Sequence, residues 1–183
     1  STAFLDAGHI LGSAIVSATV RDEGRERRLV FSGDLGHRGL PIVRDPTPVD
    51  RADALVIEST YGNRVHKGME ETVEEFVRAV NDTLRRKGGN VIIPAFAVGR
   101  TQEVLFHLRA LEAAGRIPAL PVFVDSPMAV DATPIYLAHR EDHDDEMARL
   151  VASGAEPLRP SRLVFARSPE QSRAINRVNG PCI

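Results

Sequence analysis

The sequence predicts an α/β fold, because a region of short β-branched runs is followed by a regular alternation of helices and strands. The pattern changes near residue 62, directly after Tyr61. Strands that alternate with helices build a mostly parallel sheet, with helices on both faces and right-handed crossovers. We therefore expect a strand-rich first part and a doubly wound second part.

The composition is that of a globular domain in a reducing compartment. The chain has 183 residues, 43% of them hydrophobic, which is enough to bury a sizeable core. A formal net charge of -2 gives no sign of nucleic-acid binding, although a local basic groove would not show in this sum. The single cysteine excludes an internal disulfide framework. We expect a cytoplasmic protein without a membrane span or signal peptide.

Two β-branched runs predict an antiparallel hairpin. SAIVSATVR occupies residues 13–21, RRLVFS occupies residues 27–32, and the polar stretch between them turns at Gly24. This pairing places Ala14 roughly opposite Asp34. The loops that flank the two strands are therefore expected at the same end of the hairpin.

A third run brings another polar residue to this edge. ADALVIES at residues 52–59 is nearly all apolar and predicts a buried strand with Glu58 at its tip. His9 and Asp34 also lie just beyond predicted strands, where loops commonly carry functional side chains. Taken singly, His9 could be a local hydrogen bonder and Asp34 a turn residue, and Glu58 could be a helix cap or half of an ion pair.

The residue pattern of the second part predicts alternating helices and strands, of which the first helix is amphipathic. In order they are a helix at 69–87, a strand at 90–96, a helix at 99–115, a strand at 122–126, helical residues at about 128–151, a strand at 162–166, a helix that starts at Ser168, and a strand that begins in 179–183. The chain opens on a strand-like run and stops where an apolar run begins, so we expect a piece of a longer protein.

Four ordered motifs, DAGHILGSA, FSGDLG, IESTYGNR and IPAFAVGRTQE, resemble the metallo-β-lactamase-fold nucleases of the β-CASP group, which process RNA. The resemblance covers nearly the whole chain. It implies that residues 1–61 are a partial metallo-β-lactamase domain and contribute to a β-sandwich. Residues 62–183 would be a doubly wound, mostly parallel β-CASP domain with a truncated C-terminal end.

The resemblance also implies roles for the polar residues. His9 matches a histidine that binds one zinc ion, and Asp34 matches an aspartate that bridges two. Glu58 matches an acidic residue that works with a later histidine to protonate the leaving oxygen, so Glu58 and Asp34 would be catalytic. Imidazole and carboxylate groups suit zinc. The implied reaction is the attack of metal-activated hydroxide on a phosphodiester.

Two helix starts give candidate substrate-binding residues. Arg100 follows Gly99 at a strand-to-helix junction, where helix amides and a guanidinium could bind a phosphate. A solvated arginine at a helix start is the alternative. Ser126 ends another strand at the same edge, and the resemblance makes it a candidate substrate contact. A helix cap is the alternative for Ser126.

Most of the zinc ligands of this family do not occur in the sequence. The family's HxHxDH string should precede residue 1, and two later histidine motifs should follow Ile183. His9 and Asp34 alone are too few to hold zinc tightly. We therefore expect two zinc ions in the complete protein. The isolated chain is expected to be inactive and to carry little or no tightly bound zinc.

The leading hypothesis is a fragment of a zinc-dependent endo- or exoribonuclease that acts on single-stranded RNA. DNA as a substrate and assembly into a homo-oligomer stay open, and no membrane partner is expected. One alternative is a non-catalytic β-CASP scaffold subunit. Another is a metal-free nucleotide- or small-molecule-binding α/β domain, although the sequence has no GxGxxG or Walker string.

Overall fold

The computed structural model describes residues 1–183, apart from the side chain of Asp22. The chain divides into two compact units. The first unit comprises Ser1–Val65 and Glu141–Ala148, and the second comprises His66–Arg140 and Arg149–Ile183. The domain boundary between residues 61 and 62 stays a prediction.

The first unit is built on a four-stranded sheet with the order β1-β2-β3-β4. Its strands are β1 (Thr2–Asp6), β2 (Ala14–Asp22), β3 (Arg25–Phe31) and β4 (Ala54–Val56). Strand β2 is antiparallel to both β1 and β3, whereas β4 is parallel to β3. The predicted hairpin is thus β2 and β3, with β1 on its other side.

The hairpin turn is formed by Glu23 and Gly24, which have φ angles of 47° and 77°. Two successive left-handed residues are typical of a type I′ turn, whose twist matches that of the strands. Val16 pairs with Phe31, and continuing this register places Gly33 opposite Ala14. The predicted partner of Ala14 was Asp34, so the prediction is one residue away from the observed register.

The prediction that residues 52–59 form a buried strand is wrong. Strand β4 has only three residues, and the side chains of Leu55 and Val56 are 55% and 60% exposed. The physical reason is its place at the edge of the sheet, where the described residues pair it with β3 alone. An apolar run becomes a buried strand only where neighbours cover both of its faces.

The small core of the first unit fixes two loops. Ala7, Ile15 and Val30 are buried, and partly buried Leu5, Leu35 and Val49 pack against them. Full burial of a side chain such as Ile15 or Val30 contributes about 1.5–3 kcal/mol. Since Ala7 and Leu35 belong to the loops after β1 and β3, this core holds both loops against the sheet.

The second unit contains a two-stranded parallel sheet and most of the helices, although residues 145–148 of one helix belong to the first unit. Its strands are β5 (Pro121–Val124) and β6 (Arg162–Phe165). The helices that follow the first unit's β4 in the chain are α1 (Met69–Asp82), α2 (Arg100–Ala113), α3 (Pro127–Ala138), α4 (Asp145–Ala152) and α5 (Pro169–Ile175). Helix α1 continues as a π-helical turn at Thr83–Lys87, and a 3-10 helix at Arg140–Asp142 separates α3 from α4. The fold is α/β, as predicted.

The buried strand predicted at residues 90–96 is also wrong. These residues form neither a strand nor a helix, and Ile92 and Phe96 are 87% and 84% exposed. Val91 N–H donates to the Cys182 carbonyl at 2.9 Å, but the described residues provide no strand that pairs along the whole segment. Next to β5, Ile183 N–H donates to Pro121 O at 2.9 Å.

Among the described residues, none of the helices has both the length and the apolar character that crossing a membrane requires.

Helix α5 begins directly after Ser168, as predicted. Ser168 Oγ accepts a hydrogen bond from Gln171 N–H at 3.3 Å, and Gln171 Oε1 accepts one from Ser168 N–H at 3.2 Å. This reciprocal pair is a capping box.

Candidate functional site

Two loops of the first unit meet backbone to backbone. Gly36 N–H donates to the Ala7 carbonyl at 2.9 Å. A Cβ atom on Gly36 would lie 1.6 Å from the Gly8 carbonyl oxygen, so no side chain fits at this position. The contact brings the loop that carries His9 against the loop that carries Asp34.

The His9 loop is a tight turn closed by Ser13. Ser13 Oγ accepts hydrogen bonds from the N–H groups of His9 at 3.1 Å and Ile10 at 3.2 Å. Ala7 N–H donates to the Ser13 carbonyl at 3.1 Å. The backbone of His9 is therefore fixed, whereas the residue itself is exposed. A fixed backbone with an accessible imidazole is what a metal ligand requires.

Glu58 is tied to the Asp34 loop by its side chain and its backbone. Glu58 Oε1 accepts a hydrogen bond from Leu35 N–H at 2.6 Å. Glu58 N–H in turn donates to Ser32 Oγ at 3.1 Å. The residues on both sides of the Gly33-Asp34 pair are thus held by Glu58. Asp34 is exposed at the tip of this anchored loop.

The same contacts keep Glu58 ionised. The hydrogen bond from Leu35 N–H, together with hydrogen bonds from the side chain and backbone of Thr60, lowers the pKa of the Glu58 carboxyl. Partial desolvation opposes this effect, and the charge of His9 lowers the pKa further. A carboxylate that stays ionised is suited to orient an imidazole rather than to donate a proton itself.

The structure thus places His9, Asp34 and Glu58 at one end of the first unit's sheet. Their roles as ligands and catalytic residues stay predictions. The donor types fit zinc, since His9 offers an imidazole and Asp34 a carboxylate. Two donors are fewer than the three or four protein ligands of a zinc site, so further donors from outside these residues would be required.

Two serines that were not among the predicted site residues shape the site. Ser13 closes the His9 turn, and Ser32 accepts the hydrogen bond from Glu58 N–H. Ser32 Oγ also donates to the Gly33 carbonyl at 2.6 Å. The available signal is a serine beside a glycine in each motif, because serine hydroxyls commonly bond to nearby backbone groups in turns.

Arg100 and Ser126 lie at the first turns of α2 and α3 in the second unit. Arg100 Nη1 is 2.7 Å from Glu103 Oε2, which forms an ion pair within the helix. Ser126 Oγ accepts a hydrogen bond from Ala129 N–H at 3.3 Å and caps α3. The ordinary structural roles that the sequence left open are therefore present. Substrate binding by either residue stays a prediction.

His107 of α2 gives a pH prediction. Partial burial, followed by the charge of Arg100, lowers the pKa of His107. Because the folded state then binds this proton less well than the unfolded state, folding stability is expected to fall as the pH drops below about 6.5. The His107→Gln variant should lose less thermal stability than the wild type between about pH 7.5 and pH 5, measured by circular dichroism. Parallel losses in both proteins would contradict this prediction.

Comparisons with known proteins identify the second part of the chain. The Beta-Casp domain model matches residues 101–183. "Ribonuclease TTHA0252" of Thermus thermophilus is 40% identical over 183 residues, which are 100% of this chain and 41% of the relative. The "RNase J-like protein" of Methanocaldococcus jannaschii is 30% identical over 174 residues, or 91% of this chain and 40% of the relative.

A third relative has a different name. "Transcription termination factor FttA" of Methanosarcina mazei is 32% identical over 185 residues, or 98% of this chain and 28% of the relative. The chain thus spans at most about two fifths of the length of these relatives, with 41%, 40% and 28% covered. The domain match shows that residues 101–183 belong to the β-CASP family, and the three relatives each align with at least 91% of this chain.

Proposed function

We propose that this chain is part of a zinc-dependent ribonuclease that hydrolyses phosphodiester bonds in single-stranded RNA. The observation that carries the proposal is the approach of the His9 and Asp34 loops at the Gly36–Ala7 hydrogen bond of 2.9 Å. The names of two relatives, a ribonuclease and an RNase J-like protein, support RNA as the substrate.

His9 and Asp34 would hold the metal, His9 through its imidazole and Asp34 through its carboxylate. When bound, zinc supplies Lewis acidity at the phosphate and a nucleophile at neutral pH. The protein's part is to present these side chains on loops whose backbones are held by hydrogen bonds. Ser13 fixes the backbone of His9, and the Leu35 contact with Glu58 fixes the backbone beside Asp34.

Glu58 would act through its charge. Leu35 and Thr60 donate hydrogen bonds that lower the pKa of the Glu58 carboxyl and so favour the ionised form. An ionised carboxylate can orient an imidazole and raise its pKa, which makes the imidazole a usable general acid for the leaving oxygen. This histidine would lie elsewhere in the complete protein.

Arg100 and Ser126 would contact the phosphates of the RNA. The Arg100 side chain is 62% exposed and pairs with Glu103 through one nitrogen, Nη1. A guanidinium has five N–H donors, so further donors stay available for a phosphate. A cytoplasmic location stays a prediction, whereas the use of DNA and assembly into a homo-oligomer stay open.

The test compares this chain with a version of the protein extended at both ends to the length of its relatives. We expect the extended protein to contain about two zinc ions per chain and to cleave single-stranded RNA. The isolated chain should do neither, because His9 and Asp34 are too few ligands. Elemental analysis after gel filtration and cleavage of end-labelled RNA measure both properties.

A chelator provides the control. Removing the metal from the extended protein should stop cleavage, and added zinc should restore it. RNA cleavage by metal-free extended protein would contradict the proposal. An extended protein that binds RNA but neither holds zinc nor cleaves would instead be a non-catalytic scaffold subunit.

A further inference from the structure

A buried glutamine connects the first turn of α2 to the middle of α3. Gln102 is 0% exposed, although glutamine is mostly found at protein surfaces. Its Oε1 accepts a hydrogen bond from Gly99 N–H at 2.8 Å. Its Nε2 donates to the Ala97 carbonyl at 3.2 Å and to Thr133 Oγ1 at 3.0 Å. Such a network is costly to bury unless each polar atom finds a partner, and here each does.

These bonds fix the turn that precedes Arg100. Gly99 has a φ of 85°, a conformation that side chains rarely adopt. Gln102 holds this glycine from one side of Arg100. On the other side, the N–H and hydroxyl of Thr101 both donate to the Phe96 carbonyl, at 3.2 and 2.8 Å. The backbone of Arg100 is therefore held through both of its neighbours.

The same bonds decide which group this helix start offers to a phosphate. Gly99 N–H is already used by Gln102, and Thr101 N–H is already used by Phe96. Two amides that a phosphate could otherwise bind are thus occupied by protein acceptors. The Arg100 guanidinium, not these two amides, is what the turn presents.

The network continues into α3. Thr133 is 4% exposed, and its hydroxyl donates to the Ala129 carbonyl at 2.8 Å while it accepts from Gln102. Ala129 N–H in turn donates to Ser126 Oγ at 3.3 Å. A series of hydrogen bonds, which passes through the backbone of Ala129, therefore joins the turn of Arg100 to Ser126.

We propose that Gln102, acting with Thr133, is a positioning residue for phosphate binding. It ties the first turn of α2 to Thr133 in the middle of α3, and so holds the starts of both helices in one arrangement in which Arg100 and Ser126 contact the phosphates of one single-stranded RNA. This inference rests on the proposed function, in which both residues bind RNA. Gln102 itself touches no phosphate.

The test measures RNA binding without turnover in the extended protein. Thr133→Val keeps the shape of the side chain but removes the hydroxyl that Gln102 bonds. We expect it to raise the Kd for a fluorescent single-stranded RNA by roughly five- to tenfold, measured by anisotropy with a chelator present. Thr133→Ser, which keeps the hydroxyl, should restore the wild-type Kd. In turnover assays, KM should rise while kcat changes by less than about twofold.

A matched control separates positioning from general destabilisation. Thr72 of α1 also donates its hydroxyl to a carbonyl four residues earlier, that of Gly68, at 3.0 Å. The Thr72→Val variant removes the same kind of helix contact and should leave the Kd unchanged. Gln102→Glu keeps an acceptor for Gly99 N–H but loses the donor to both Thr133 and the Ala97 carbonyl, so it should raise the Kd at least as much as Thr133→Val does.

A double-mutant cycle gives the decisive result. In an Arg100→Ala background, Thr133→Val should add little to the loss of RNA affinity, because its effect acts through Arg100. Additive effects, or an unchanged Kd in Thr133→Val with wild-type Arg100, would overturn the positioning role while the proposed function stands. If the wild-type extended protein bound no RNA, the proposed function and this inference would fall together.

Discussion

Asp34→Ala is expected to remove both the bound metal and the RNA cleavage of the extended protein. Asp34 is the proposed ligand between two ions, so its loss weakens both sites at once. We expect the metal content to fall from about two ions to below one per chain. The kcat/KM for RNA should fall by at least about a thousandfold, measured with end-labelled RNA.

The Asp34→Ala substitution should leave the hydrogen bonds of its loop intact. The bonds that hold the loop join Leu35 N–H to Glu58 and Gly36 N–H to Ala7, and neither uses the Asp34 side chain. The variant should therefore keep its fold, with an unchanged circular dichroism spectrum. Asp50→Ala removes another exposed acidic residue of the first unit and should retain metal and activity. Stoichiometric metal that survives Asp34→Ala would show that the bridging assignment is wrong.

The hairpin and the meeting of its flanking loops could be predicted because local signals determine them. Two β-branched runs and a turn at Gly24 fix which strand ends lie together, within one residue of the observed register. That alone places the loops of His9 and Asp34 at one end. Glu58 follows because β4 runs parallel to β3.

Burial could not be predicted, because a run of apolar residues does not say what covers it. Residues 52–59 and 90–96 have the composition of buried parallel strands. In the structure, Val56 and Ile92 are 60% and 87% exposed. The number of neighbouring strands is a tertiary property, and a one-dimensional pattern contains no information about it.

Contacts between loops could not be predicted for a similar reason. Gly36 looks like an ordinary turn residue in FSGDLG, and its sequence neighbours do not show that the Gly8 carbonyl will lie against it. Gln102 looks like one more polar residue of a helical first turn, although it is 0% exposed. Both depend on an approach between segments that are distant in sequence.

Gly36→Ala is expected to destabilise the first unit more than any surface substitution would. The new Cβ would lie 1.6 Å from the Gly8 carbonyl oxygen and 2.2 Å from its carbon. Backbone atoms cannot turn aside as a flexible side chain can, so the two loops must separate. We expect a loss of about 3–5 kcal/mol in the free energy of unfolding, measured in urea on the extended protein.

Loop separation should also remove the metal, and this links the stability effect to the site. Moving the loops apart breaks the hydrogen bond from Gly36 N–H to Ala7 O and draws His9 away from Asp34, so zinc content should fall with stability. Gly12→Ala is the matched control, since Gly12 has a φ of 77° but no atom within 4 Å of an added Cβ. It should cost about 1–2 kcal/mol through backbone strain and leave the metal in place. Equal losses of stability and metal in the two variants would mean that left-handed strain, not the approach of the loops, governs the site.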